Sequence, residues 1–143
     1  MVVYEASSRA EVSQERVWQV LAAVESWPAW LPTVQRVEPL DGLPIALGKR
    51  FRIHQPKLKA TIWTVCELAP PARFAWRASS FGVSYFADHV LERLDERATH
   101  IRLRFEIHGW LARPLAAAYG QLVRAYLEQE AQALQRTADG CLS

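Results

Sequence analysis

The residues of this chain that could move protons are few: four histidines, His54, His89, His100 and His108, and one oddly placed glutamate, Glu130. Around His54, His100 and His108, apolar residues take every second position and the histidines take the others. All three are therefore expected on the wet faces of strands. His89 differs. If Tyr85, Ala87, His89 and Leu91 share an inner face, the imidazole looks into the protein. The rival register puts Phe86, Val90 and Leu94 inward and His89 outward, because a slip of one residue reverses every side chain. Both registers stay open, since both faces of this segment are mixed. Glu130 falls between Tyr126 and Leu134, near the centre of an apolar helical arc. A carboxylate buried there is costly unless paired or hydrogen-bonded. Either the helix projects past its partner and Glu130 meets water or an arginine at the rim, or Glu130 is a polar anchor or acid/base group at a cavity mouth.

Stronger catalytic signatures are missing. The chain has no G-x-S-x-G, H-E-x-x-H, P-loop or G-x-G-x-x-G motif, so no catalytic residue is assigned. Cys66 and Cys141 stand far apart without metal-ligand spacing. They read as reduced thiols of an intracellular protein, with no disulfide, metal or cofactor expected.

The chain has 143 residues, half of them hydrophobic, and 17 Lys+Arg against 15 Asp+Glu, for a net charge of +2. That is one domain, 1–143, with enough apolar surface for a core of its own. The basic residues are spread out, which argues against nucleic acid. Met1 to Ala10 has no apolar signal-peptide core, and no apolar run approaches the ~18 residues of a membrane span. A cytoplasmic protein without stable membrane insertion is expected.

The elements that must position these residues follow from periodicity. Val2 to Val12 reads as a strand. Ser13 is an N-cap for a helix carrying Val17, Trp18, Val20, Leu21 and Val24. Ser26 offers a second N-cap, with Pro28 in the first turn, for a very short helix over Trp27 to Leu31. Five strands then follow: Thr33 to Leu40, Lys49 to Gln55, Ala60 to Leu68, Arg73 to Ser79 and Val83 to Leu94. The next strand, Thr99 to His108, alternates most cleanly, with Ile101, Leu103, Phe105 and Ile107 on one face and His100, Arg102, Arg104, Glu106 and His108 on the other. After Gly109, a long helix over Leu111 to Thr137 gathers its apolar residues on one broad arc. On the edge of that arc, Gly120 either lets the helix approach a strand or widens the interior.

A seven-stranded antiparallel sheet with one apolar face must cover it, and the C-terminal helix is the one large element available. The expected fold is α+β: a curved antiparallel sheet wrapped around that helix, with two short helices after the first strand. One helix rarely fills such a trough, so a cavity between helix and sheet is expected.

This order resembles the helix-grip fold of the START-like, Bet v 1-like superfamily (SRPBCC), and more closely its polyketide cyclase/dehydrase-like branch. The residues that carry the resemblance are Val17-Trp18, the block Trp27-Pro28-Ala29-Trp30-Leu31-Pro32, Val37, Gly48, Val65, Glu67, Pro70-Pro71, Phe74-Ala75-Trp76-Arg77, His89-Val90-Leu91-Glu92, Thr99 and Gly109. The resemblance spans nearly the whole chain. It implies a hydrophobic cavity for a lipid-, polyketide- or isoprenoid-like molecule, but no single activity.

Three functions compete: a binding protein for a small apolar molecule, a cyclase, aromatase or dehydratase with His89, Glu130 and a tyrosine as its minimum set, and a protein-interaction module. The third, of the chaperone-activator or ribosome-associated type, rests on Trp63, which sits on a strand apolar on both faces; the same feature leaves a monomer or a weak homodimer as the expected state. The expected pocket walls are Phe74, Trp76, Tyr85, Ile101, Leu103 and Phe105 from the sheet and Val123 and Leu127 from the helix. Tyr119, Tyr126 and Glu130, with His89 if it turns inward, supply the polar groups.

Overall fold

The structure, a computed structural model, describes residues 1–140, so Cys141 lies outside the described residues. Seven strands run β1 (Val2–Ala10), β2 (Arg36–Pro39), β3 (Arg50–His54), β4 (Thr61–Ala69), β5 (Arg73–Ser80), β6 (Val83–Asp95) and β7 (Ala98–His108). They form one sheet in the order β1-β7-β6-β5-β4-β3-β2, and every neighbouring pair is antiparallel. Between β1 and β2 lie helix α1 (Gln14–Ala22) and a 3-10 helix (Val24–Ala29). Helix α2 (Ala112–Gly140) lies across the inner face, closest to β1 and β7. This is the helix-grip arrangement that the order of elements predicts.

The local chemistry explains most boundaries. Ser13 caps α1 by accepting a hydrogen bond from the Arg16 N–H at 3.2 Å, satisfying an amide that has no intrahelical partner. The second short helix departs from expectation. It begins at Val24, two residues before Ser26, and has no side-chain cap. Only Ala23 separates it from α1, and the Ser26 N–H is already bonded to the Ala23 carbonyl at 2.9 Å. The chain reverses too tightly there for Ser26 to act as a cap.

On the sheet, alternation sets the faces. Val37, Phe51, Ile53, Trp63, Val65, Phe74, Trp76, Tyr85, His89, Leu91, Ile101, Leu103 and Phe105 belong to the inner layer or pack against it. The outer face is wet, and its histidines sit beside carboxylates: His54 with Glu38 at 2.8 Å, His108 with Glu106 at 2.7 Å and His100 with Glu92 at 3.9 Å. Exposed pairs of this kind are worth ~0–1 kcal/mol each and order the surface more than they stabilise it.

Trp63 corrects the sequence reading. It points inward, 8% exposed, with its ring stacked 5.7 Å from that of Trp76. Ile62 is the exposed large apolar residue of β4. The cross-strand partners decide this. Phe51 lies opposite Trp63 and Trp76 lies opposite Val65, all on the buried side. Trp63 therefore offers no surface to a partner, and the arguments for an interaction module and for a dimer through that residue fall.

Gly120 also has a defined task. A Cβ there would come within 2.7 Å of the Tyr4 hydroxyl. The missing side chain lets α2 settle onto β1, and the Arg124 guanidinium lies 5.7 Å from the centre of the same tyrosine ring, a favourable cation–π distance.

Candidate functional site

The centre of the inner face is aromatic. Phe74, Trp76, Trp63, Tyr85 and Phe105 form a chain of ring contacts: 5.2 Å between Phe74 and Trp76, 6.2 Å between Trp63 and Tyr85, and 5.7 Å between Tyr85 and Phe105. Into this wall the pairing of β5 with β6 sets His89, opposite Phe74. The inward register is the one the protein adopts. The imidazole is 4% exposed, and its ring stacks on Phe74 with centroids 4.1 Å apart and 12° between the planes.

Two contacts define the state of that ring. Nδ1 lies 3.2 Å from the Phe74 carbonyl oxygen. A carbonyl only accepts, so Nδ1 carries a hydrogen and donates it. Nε2 lies 3.4 Å from Oε1 of Glu130 on α2. That distance is within ion-pair reach and joins strand to helix. Glu130 is neither at a free rim nor unpaired. Its side chain is mostly buried, and His89 is its partner. The two groups that sequence analysis singled out separately meet here, 41 positions apart in the chain.

The other expected wall residues divide. Phe74, Trp76, Leu103 and Leu127 are buried around the pair. Ile101 is fully buried opposite Leu91, towards the α1 end of the sheet, where it packs as core. Tyr85, Phe105 and Val123 pack against the core yet stay partly accessible. Burial pushes the Tyr85 hydroxyl above the ordinary tyrosine range and keeps it a hydrogen-bond donor. Tyr126 spends its hydroxyl on the Pro56 carbonyl, so it ties α2 to the loop between β3 and β4. Tyr119 is 46% exposed and is not brought to the wall.

Sequence reasoning missed Trp63 and Trp27. The ring of Trp27, in the 3-10 helix, lies 5.4 Å from that of Trp76 and 6.0 Å from that of His89, while its indole N–H is bonded to the Leu21 carbonyl at 2.9 Å. The alternation of β4, Trp63 and Val65 against Ile62 and Thr64, was the available signal for the first. Nothing local signalled the second.

Two concavities lie elsewhere. One, of about 380 Å³, is bounded by Trp18, Ala23, Leu43, Ile45 and Pro70. The other, of about 700 Å³, is bounded by Ile62, Cys66, Arg77, Phe86 and His108, with Tyr85 at its edge. Neither includes His89 or Glu130. No group of three or more potential metal ligands occurs among the described residues.

Known structures share this architecture. The Zhui aromatase/cyclase from Streptomyces sp. R1128 superposes with a TM-score of 0.83 at 18% identity, covering 99% of this chain and 96% of that one. A START superfamily protein from Mycobacterium smegmatis gives 0.73 at 16% identity, covering 97% and 98%. Norcoclaurine synthase from Thalictrum flavum gives 0.75 at 12% identity, covering 99% and 96%. At these identities the likeness establishes the fold. Comparison with curated proteins gives no match. The profile of the family described as polyketide cyclase/dehydrase and lipid transport matches residues 1–139. With the helix grip in place and nearly every residue inside that match, the chain belongs to the polyketide cyclase/dehydrase and lipid transport family.

Proposed function

We propose that the protein binds one small, largely apolar molecule, lipid-, polyketide- or isoprenoid-like, between β4–β7 and α2. The observation that carries this reading is the His89–Glu130 pair, an acid–base couple set into an aromatic and aliphatic wall. Burial of ligand surface supplies affinity at about 25 cal/mol per Å². The pair and the Tyr85 hydroxyl orient a carbonyl or hydroxyl of the ligand. The partly accessible side chains of Tyr85, Phe105 and Val123 support this placement. Tyr119, on the outer side of α2, has no part in it.

The same pair favours a second reading, cyclisation or dehydration of a polyketide-like chain. An imidazole and a carboxyl side by side are the residue types such a step needs: a base to take a proton beside a carbonyl and an acid to protonate a departing hydroxyl. The wall would hold the chain in a reactive fold, and positioning would be the main effect.

Val123→Trp adds bulk on the side of α2 that packs against the core. It should weaken the apolar fluorescent probe N-phenylnaphthylamine at least ~10-fold at an unchanged melting temperature. Unchanged probe binding by the folded variant would overturn the binding reading. Glu130→Gln should keep the fold and shift preference among ligands that differ in one polar group. For the second reading, a synthetic poly-β-ketone thioester should give a different product distribution with the protein than without it. If His89→Ala and Glu130→Gln both reproduce the wild-type distribution, the pair has no chemical role.

A further inference from the structure

Phe81 and Trp110 are 81% and 70% exposed, and with Met1 they are the most exposed large apolar residues among those described. They belong to different loops. Phe81 sits in the turn joining β5 to β6, and Trp110 sits at the corner between β7 and α2. Their rings nonetheless meet edge to face, with centroids 5.6 Å apart.

Two glycines hold them there. Gly82 has φ +74°, and a Cβ on it would come within 2.6 Å of Leu111 and 2.9 Å of Trp110. Gly109 has φ +107°, and its Cβ would lie 2.5 Å from the Gly82 carbonyl oxygen. The Leu111 N–H is bonded to that same oxygen at 3.0 Å. L side chains rarely adopt either backbone conformation, so the two loops press together only because both positions are glycine. The aromatic pair is thus presented on a braced corner. Holding two rings in water forfeits the free energy that burying them would supply.

The register places a third loop at this end. Thr64 pairs with Arg77 and Ile53 with Thr61, so loop 55–60 emerges beside the β5–β6 turn. It carries Lys57 and Lys59, both exposed, and α2 begins with exposed Arg113. None of the three forms an ion pair among the described residues. Segments 55–60, 79–82 and 108–114 contain no Asp or Glu. Glu106, just behind, is held by Arg104 and His108, each at 2.7 Å. The opposite end mixes signs, with Glu11, Glu25, Asp41, Asp95 and Glu96 lying among Arg9, Lys49 and Arg97.

We propose that this end docks reversibly on an anionic lipid bilayer, with Phe81 and Trp110 at the headgroup–acyl boundary and Lys57, Lys59 and Arg113 against lipid phosphates. The charge sign selects the surface. Basic side chains close to an anionic leaflet gain Coulomb energy, and aromatic rings favour the interface, where one side is apolar and the other wet. No helix among the described residues is long and apolar enough to cross a membrane, so the protein lies on the bilayer. The docking face adjoins the accessible half of the proposed ligand site, and an apolar ligand could pass between membrane and protein there. That last consequence rests on the function proposed above; the docking itself does not.

The test is co-sedimentation with vesicles of phosphatidylcholine alone and of phosphatidylcholine mixed with phosphatidylglycerol. The protein should bind the mixed vesicles, and binding should weaken as salt rises. Phe81→Ser and Trp110→Ser should each lower the partition coefficient about tenfold, and Lys57→Gln and Lys59→Gln about fivefold each. All four positions are exposed, so unchanged melting temperatures serve as the folding control. Brominated lipid should quench wild-type tryptophan fluorescence, and Trp110→Phe should lose most of that quenching while still binding. Val123→Trp should dock normally, which separates failure of the ligand reading from failure of this one. The proposal is overturned if wild type ignores the mixed vesicles, or if the double variant Phe81→Ser/Trp110→Ser binds them unchanged. It is equally overturned if the double variant only abolishes a dimer seen by sedimentation, which would give the face to a second copy of the chain.

Discussion

At one end of the grip, β6 and β7 carry Leu91 and Ile101, and α2 answers with Leu134 and Ala138, all four buried. At the other end the same strands carry Tyr85 and Phe105, the same helix answers with Leu115 and Val123, and all four remain partly open. The difference lies in what else covers the sheet. α1 and the 3-10 helix add Val17, Leu21, Val24 and Trp27 to the first end, completing a second layer. The second end has α2 alone, and α2 leans towards β1 and β7. One end carries the packing that stabilises the fold, and the other carries accessible apolar surface. His89 and Glu130 sit between them, both largely buried and 3.4 Å apart.

The largest expected effect tests that division directly. Leu134→Ala should cost about 2–5 kcal/mol in chemical denaturation, because a fully enclosed site cannot collapse around the lost methyls. Val123→Ala should cost less than about 1 kcal/mol, since its site is already part open. Equal losses would erase the distinction between the ends. A smaller effect concerns the tie across the open end. Tyr126→Phe removes the hydroxyl bonded to the Pro56 carbonyl and should cost about 0.5–1.5 kcal/mol. Its sharper signature is faster amide exchange in 57–60 and faster release of bound probe, with melting little changed.

The smallest expected effect is on the outer face. Burial alone would raise the Glu106 carboxyl, but hydrogen bonds from Arg104 and His108 outweigh it and hold the group below the ordinary glutamate range. A depressed carboxylate contributes stability above its unfolded value and loses it as pH falls through the lowered folded value. Glu106→Gln should therefore lower the melting temperature slightly at neutral pH and leave it unchanged at strongly acidic pH. A gap between the two proteins that stays constant with pH would mean that the ion pairs of this face contribute nothing.

Much of this was legible in the residues. The order of elements, the Ser13 cap, the wet faces bearing His54, His100 and His108, and the buried arc of α2 all follow from period 2, period 3.6 and capping chemistry, which act over a few residues. The inward side of β6 was not legible, because Tyr85, His89 and Leu91 alternate with Phe86, Val90 and Leu94, and both patterns satisfy a strand. Trp63 raised the same ambiguity in β4. Tyr119 misled for a different reason. It shares the apolar arc of α2, but the helix settles over β1 through the Gly120–Tyr4 contact and leaves that flank to water.

What the sequence determined by itself was therefore a set of elements and the candidates for chemistry, His89 and Glu130 among them. The tertiary structure alone decided that these two meet, that Trp63 joins the wall and that Phe81 finds Trp110. The physical reason is range. Periodicity and capping report on neighbours along the chain, whereas which face of β6 turns inward depends on its pairing with β5 and on a helix that begins after the last strand has been laid down.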